Sequence, residues 1–436
     1  MKNWISAVAA AALVLGLAAC SDPSANAPAD AAPATWADAG AKLDGVKLTL
    51  WAAQNSNTVP KQVVESFEKA TGATVEVVTI PDPYEQSIQT KVATGDKPDL
   101  AFWQPTSSML TAINAKTNLQ PLDDAPWLPK LAPELKDITG LLDGRRYAAL
   151  ITSPAVEGVY YNKEVFAANG ITETPKTFDA MVTAARALKA KGVTPFFEMG
   201  GDRWATQWWV QVQLADAAKN GLWDKINSKQ ETFTSPVVLD TIKKYQALIN
   251  EGLFNADIKT AKLEDQGAAL LDGKAAMAVQ VNSFFSQLQA KADTATLDKK
   301  IGFFPIAPSG QVGTFIPDQT NALVAFRTGD AKREAAARQL LAYWMGPGYA
   351  GFVADRKTVS LEPSVANPPG VPQALLDVHK SLPTAVGSMQ ALAVANPDLY
   401  INLADMIAGT MTPDQVAKAT QDQFAQLAKA AGAPGF

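Results

Sequence analysis

The side chains able to bind or react gather just beyond three short β-like runs. Gln54, Asn55 and Ser56 follow VKLTLW, Asp82 and Tyr84 follow TVEVVTI, and Trp103, Gln104, Thr106 and Ser107 close or follow DLAFW. All but Asp82 are neutral hydrogen-bonders or aromatics. No GxxxxGK[ST] occurs, and no GxGxxG follows a strand, which speaks against a nucleotide site. A Ser-His-Asp triad or a His-rich metal centre would have to rest on the single histidine, His379. The chemistry on offer is therefore recognition: no catalytic set, no cofactor and no metal site is expected.

The elements that must position these residues read clearly. Val46–Trp51 alternates apolar and polar residues as a strand does. KQVVESFEKATG then puts Val63, Val64 and Phe67 on one helical face, with Gly72 as its stop. Thr74–Ile80 is a second strand, YEQSIQTKVATG a second helix and Asp99–Trp103 a third strand. A β-α-β-α-β order implies right-handed crossovers and a parallel sheet, with ligands bound beyond the carboxyl ends of its strands.

A second unit begins near residue 157. VEGVYYNKEVF reads as a strand entering a turn, and alternation points Tyr160 and Tyr161 to opposite faces. Thr177 is the candidate N-cap of a helix with Phe178, Met181, Val182 and Leu188 on one face and Gly192 as its stop. Residues 204–252 are mostly helical. Gly273–Val281 is a turn and strand, IGFFPIAP and ALVAF are further strands, and 331–345 and the stretch from Pro413 are helices. Trp204 and Trp208 form an i, i+4 pair with Trp209 adjacent, so at least one ring should pack inward.

A length of 436 residues suits two domains. A net charge of −5, with no run of Lys or Arg, argues against nucleic acid or anionic lipid as a partner. The first residues resemble a bacterial lipoprotein signal. Lys2 supplies the positive start, Ala7–Ala19 the apolar stretch, and Leu17-Ala18-Ala19-Cys20 a lipobox-like end. Cleavage before Cys20 and lipidation of its thiol would consume the only cysteine. The body would then be extracytoplasmic and held to the cell membrane by more than one acyl chain. Residues 21–41 read as an Ala/Pro/Ser-rich tether, with order beginning at Val46.

FEKATGATVEV, KVATGDKPDLAFW, PAVEGVYYNKEVF, PKTFDAMVTAARALKAKG, LLDGKAAMAV and TPDQVAKATQDQF occur in one order along the chain. As a set they resemble the bacterial extracellular solute-binding proteins of family 1, the sugar-capturing components of ABC importers. The resemblance implies an α/β, two-lobe periplasmic-binding-protein-like fold (type II-like) with three crossovers and a ligand cleft between the lobes. It implies a signal over 1–19, a lipidated Cys20 with a tether through 45, lobe one at 46–155 with 301–328, and lobe two at 157–300 with 331–436. The partners implied are a carbohydrate, the permease subunits and the membrane through the lipid anchor. A monomer is expected.

The resemblance also assigns site roles. Trp103 falls where relatives place a sugar-contacting tryptophan, and Gln104, Thr106 and Ser107 continue its loop. Glu157 falls where relatives have a hinge-side carboxylate that accepts sugar hydroxyls. Gln54 and Asn55 lie in the first-strand loop, and Tyr84 and Glu85 begin the second helix. Trp204, Trp208 and the Asn282–Phe285 loop lie at aromatic platforms, although VQVNSFF departs from the usual glycine and tryptophan there and leaves the role of Phe284 open. Asp318, Gln319 and Arg356 complete the expected ligand set. Two other functions compete. A binder of a polyamine or peptide would need more carboxylates than the lobe-one loops offer, and a surface glycosidase would need two carboxylates about 5–10 Å apart.

Overall fold

The computed structural model describes residues 35–53, 61–81, 83–136 and 138–436. The signal, Cys20, Gln54, Asn55, Ser56 and Asp82 lie outside the described residues.

Two open sheets organise the chain. The first has the order Thr74–Ile80, Lys47–Ala53, Leu100–Phe102, Ala322–Ala325, Ala148–Leu150. Its first three strands are parallel, as the β-α-β-α-β reading requires, and Ala322–Ala325 runs antiparallel to both neighbours. Alternation along Lys47–Ala53 sends Leu48 and Leu50 into one buried cluster and Trp51 and Ala53 into another on the opposite face.

The second sheet is built around Ala155–Asn162, buried along nearly its whole length. Ala275–Gln280 covers one side of that strand, with Thr194–Phe196 parallel beyond it. The other side is covered end to end by two short antiparallel strands, Ile301–Phe304 against residues 159–162 and Thr314–Ile316 against 155–157. Tyr160 packs on Phe284 and Phe303, while Tyr161 packs on Phe166 and Phe304, so the two tyrosines do face opposite ways.

The local signals hold. Thr177 Oγ1 accepts from Ala180 N at 3.2 Å, and Phe178, Met181, Val182 and Leu188 are buried. Gly72 and Gly192 end their helices at φ near +79°, a left-handed conformation in which a Cβ is strained.

The lobe boundaries need correction. Residues 301–316 were expected in lobe one, yet both of their strands pair with Ala155–Asn162. The chain returns to the first sheet between Ile316 and Ala322. Residues from 331 were expected in lobe two, yet the Ala331–Trp344 helix puts Ala336, Ala337, Leu340, Leu341 and Trp344 into the cluster of Leu48 and Leu50. The Tyr349–Arg356 helix packs beside Lys61–Thr71, and the third crossing follows it, before the Gln373–Ser381 helix reaches strand 301–304. The physical reason is that an apolar run announces a strand or helix but not the edge or face it will cover.

Order also begins earlier than Val46. Trp36 packs edge-on against Trp127, with ring centroids 5.1 Å apart, and the Arg338 guanidinium lies 3.9 Å from its ring centroid. Gln339 Nε2 donates to Ala41 O at 2.7 Å, and Leu43 N donates to Thr71 O at 2.7 Å, tying residues 36–45 to the first lobe. At the other end of that lobe the first two crossings are laced together. Asn321 Nδ2 donates to Thr152 Oγ1 and Ser153 O, and Ile151 N donates to Asn321 O at 2.8 Å.

Candidate functional site

The carboxyl ends of Thr194–Phe196 and Ala275–Gln280 define one edge of the second sheet, and the start of Ala155–Asn162 lies on that edge because Gly158 pairs with Gln280. Gly158 is required there: a Cβ would sit 2.5 Å from the Phe303 ring. Beside it, Glu157 is fully buried, and neither carboxylate oxygen has a hydrogen-bond partner. Its register partner across the antiparallel pair is Thr314, also buried, with its hydroxyl unpartnered. Directly opposed residues share a face with Cβ atoms about 5 Å apart. Two groups that want hydrogen bonds thus stand together in a dry place. Burial alone pushes the Glu157 carboxyl well above the usual carboxylate range. Asn282 Oδ1 accepts from Val156 N at 2.9 Å, which pins the start of this strand to the loop after Ala275–Gln280.

Trp204 and Trp208 approach this edge from the segment after Thr194–Phe196. Trp204 is half-buried and meets Trp208 edge-on at 6.2 Å between centroids, while Trp208 is buried with its indole N–H unpartnered. Three buried glutamines brace the pair. Gln207 Nε2 donates to Trp204 O, Gln390 Nε2 to Gln207 Oε1, and Gln211 Nε2 to Gln390 Oε1, and Met389 N closes the chain onto Gln211 Oε1. Sequence reasoning missed all three, as it missed Thr314, because nothing local distinguishes them from surface polar residues.

The loop before Trp204 is held tightly. Gly200 N and Gly201 N donate to Ile258 O and Ala261 O, approaches that a Cβ at either glycine would block. Arg203 follows at φ +63°, a strained conformation for a residue with a side chain. Its exposed guanidinium lies 3.8 Å from Asp405. Tyr400 is half-buried close by, and burial together with Asp398 and Glu85 raises its hydroxyl, while Arg203 opposes them. Glu85 belongs to the first lobe, so this rim is felt from both lobes. At the base of the loop, fully buried Glu198 accepts from Met199 N at 2.7 Å and from Tyr245 Oη at 3.1 Å. Desolvation pushes its carboxyl up to about 7.

Several expected contacts are instead structural. Trp103 is fully buried, and its indole N–H donates to Met109 O at 3.0 Å. The Tyr84 hydroxyl donates to Phe102 O at 2.7 Å and reaches Trp51 O at 3.2 Å. Phe284 packs in the core against Tyr160. Each has an apolar body that the first strand loop or the second sheet needs for filling, and a cleft position would expose it. Thr106 is buried and caps the Ser107–Ala112 helix through Met109 N, and Ser107 Oγ donates to Leu141 O. Asp318 caps its own turn by accepting from Thr320 N, and burial raises its carboxyl. The Gln319 side chain lies outside the described residues. Gln104, Glu85 and Arg356 are half-buried, the last at the end of the helix beside Lys61–Thr71.

Among the described residues no group of three or more metal-ligating side chains occurs, and no helix is long and apolar enough to cross a membrane. Two surface hollows, of about 290 and 460 Å³, lie elsewhere on the first lobe, under Trp36 and Trp127 and beside Lys47 and Arg333. They include none of the residues above.

The sequence profile of the bacterial extracellular solute-binding proteins matches residues 52–351. Among curated sequences, one from Brucella abortus (strain 2308), described as a binding protein, is 26% identical over 198 residues, 45% of this chain and 46% of its own length. The multiple sugar-binding protein of Streptococcus mutans is 25% identical over 229 residues, 50% of this chain and 52% of its own. The chain thus spans about half the length of the curated relatives it matches. Among solved structures, a chitin oligosaccharide binding protein superposes with a TM-score of 0.72 at 22% identity, covering 88% of this chain and 98% of that one. At that identity the likeness establishes the two-lobe fold.

Proposed function

Since this chain belongs to the bacterial extracellular solute-binding proteins, we propose that it is the capture component of a sugar ABC importer. It takes an extracellular sugar or short oligosaccharide into the cleft between its lobes and hands it to a membrane permease. The observation that carries this reading is the pair Glu157 and Thr314. A buried carboxylate and hydroxyl without partners each cost about 1–3 kcal/mol, and a guest rich in hydroxyl donors removes that cost. The half-buried Trp204 indole, packed edge-on against Trp208, offers a flat face to the C–H side of a pyranose. Closure follows from a ligand that touches both lobes, because it then binds the closed form better than the open one. The hinge is the laced pair of crossings at 151–153 and 321. Lobe one accordingly comprises 36–150 with 322–356, and lobe two 155–316 with 373–436. Cys20 carries the lipid, the body is extracytoplasmic, and the protein works as a monomer.

A thermal-shift screen against mono- and oligosaccharides tests the reading. A sugar at a hundred times its Kd should add about 2.7 kcal/mol to stability and raise Tm visibly. A rise with a polyamine or a metal, and with no carbohydrate, overturns it.

A further inference from the structure

A buried polar network costs more than apolar packing unless every member is satisfied. The three glutamines between Trp204 and the Met389–Leu392 helix meet that condition in one way only. Trp204 O can only accept and Met389 N can only donate, so the amides of Gln207, Gln390 and Gln211 must all point the same way between them. Gln390 is buried and forms the middle link. Its Nε2 donates to Gln207 Oε1 at 2.6 Å, and its Oε1 accepts from Gln211 Nε2 at 2.7 Å. Turning any one amide over would set like groups against each other at both of its ends. The row therefore has a single arrangement, which holds Trp204 and the helix as one unit.

The Met389–Leu392 helix also reaches across to the other lobe, where it packs beside the Ser107–Ala112 helix. On its own side it is clamped. Asn227 Nδ2 donates to Leu392 O and Val394 N to Asn227 Oδ1, both at 2.9 Å, while the Trp223 indole N–H donates to Gly387 O at 3.1 Å. On the first-lobe side, the Trp103 indole N–H fixes Met109 O in the Ser107–Ala112 helix. Rotation about the crossings at 151–153 and 321 moves the elements of one lobe against those of the other, so this helix contact depends on the lobe angle. Resting on the sugar reading above, we propose that Gln390 is a positioning residue for capture. It ties the Trp204 platform to the helix that touches the first lobe. A sugar that fixes Trp204 then favours the helix contact, and the contact by reciprocity holds Trp204 where the sugar needs it.

The test pairs calorimetry with small-angle X-ray scattering of the purified full chain, with raffinose, maltotriose and chitotriose as probes. The unmodified protein should give measurable heat with at least one of them and contract at saturation. Gln390→Met, which nearly keeps the volume and breaks both links, should bind that sugar about tenfold more weakly. At saturating sugar it should also lose about half of the contraction, as a roughly tenfold fall in the closed-to-open ratio requires. Gln207→Met, one link nearer Trp204, should do the same. Phe424→Leu, in the buried cluster of the second lobe and outside the row of glutamines, should lose stability but contract fully. Full contraction in a folded Gln390 or Gln207 variant, or heat without contraction in the unmodified protein, overturns the inference and leaves sugar capture standing. Neither heat nor contraction with any of the three sugars overturns sugar capture itself. The unmodified protein alone can decide against the inference, whichever variants fold.

Discussion

Three buried carboxylates occupy three regions of this molecule, and their surroundings differ in a graded way. At the far end of the first sheet, Asp99 Oδ2 accepts from Thr49 N at 2.7 Å, from Thr49 Oγ1 at 3.2 Å and from the Arg333 guanidinium at 2.7 Å. In the second lobe, Glu198 has only neutral donors, the Met199 amide and the Tyr245 hydroxyl among them, and no cation acts on it. At the edge of the second sheet where Gly158 pairs with Gln280, Glu157 has none. All three are fully shielded from water. A buried charge with donors and a counter-ion holds two elements together, whereas one without them is a liability unless a guest supplies what is missing. The contrast separates an acid whose hydrogen bonds are made within the fold from one whose oxygens have no partner.

The comparison can be broken by substitution. Asp99→Ala should cost about 3–4 kcal/mol of unfolding free energy in urea denaturation, because it strands Arg333 and the Thr49 amide. A loss below about 1 kcal/mol would remove Asp99 from the structural class.

Glu198 sharpens the middle case through pH. Its folded carboxyl titrates near 7 against an ordinary 4.5, so the native state binds the proton more tightly. Its contribution to stability is then complete below about 4.5 and is lost as pH rises through about 7. Glu198→Gln should abolish that loss, and the difference between variant and parent should grow by about 3 kcal/mol across this window. Parallel stability curves for the two proteins would show that Glu198 does not titrate there.

Glu157→Gln should act in opposite directions on fold and function. Its raised carboxyl gives the same sign as Glu198, so at neutral pH the amide should stabilise the empty protein by about 1–2 kcal/mol in the same denaturation assay. Sugar affinity should fall at least about tenfold by calorimetry. Lower stability together with unchanged affinity would place Glu157 among the structural acids. The smallest effect concerns the N-terminal segment. Trp36→Ala should lower stability by about 1–2 kcal/mol and leave sugar affinity unchanged, because its ring packs on Trp127 and Arg338 at a distance from the cleft edge.

Much of the architecture was legible in the residues. The parallel order of the first three strands, the Thr177 cap, the glycine stops at 72 and 192 and the opposed faces of Tyr160 and Tyr161 follow from short-range rules. Glu157 was singled out through the AVEGVYYNK segment and its family resemblance, whereas its burial opposite Thr314 was not foreseen. Trp103, Tyr84 and Phe284 were misread as cleft residues. An aromatic just past a strand can turn into the cleft or back into the core, and only the space left by Leu110, Ile113 and Phe326 decided this for Trp103.

What the chain by itself determined is the set of elements and their local ends, because periodicity, caps and left-handed glycines act within a few residues. Tertiary structure alone decided which edge each strand joined. Residues 301–304 and 314–316 could have served either sheet, and pairing with Ala155–Asn162 placed Thr314 opposite Glu157 across more than 150 residues of sequence. That juxtaposition arises from backbone hydrogen bonds between strands whose side-chain patterns carry no partner label.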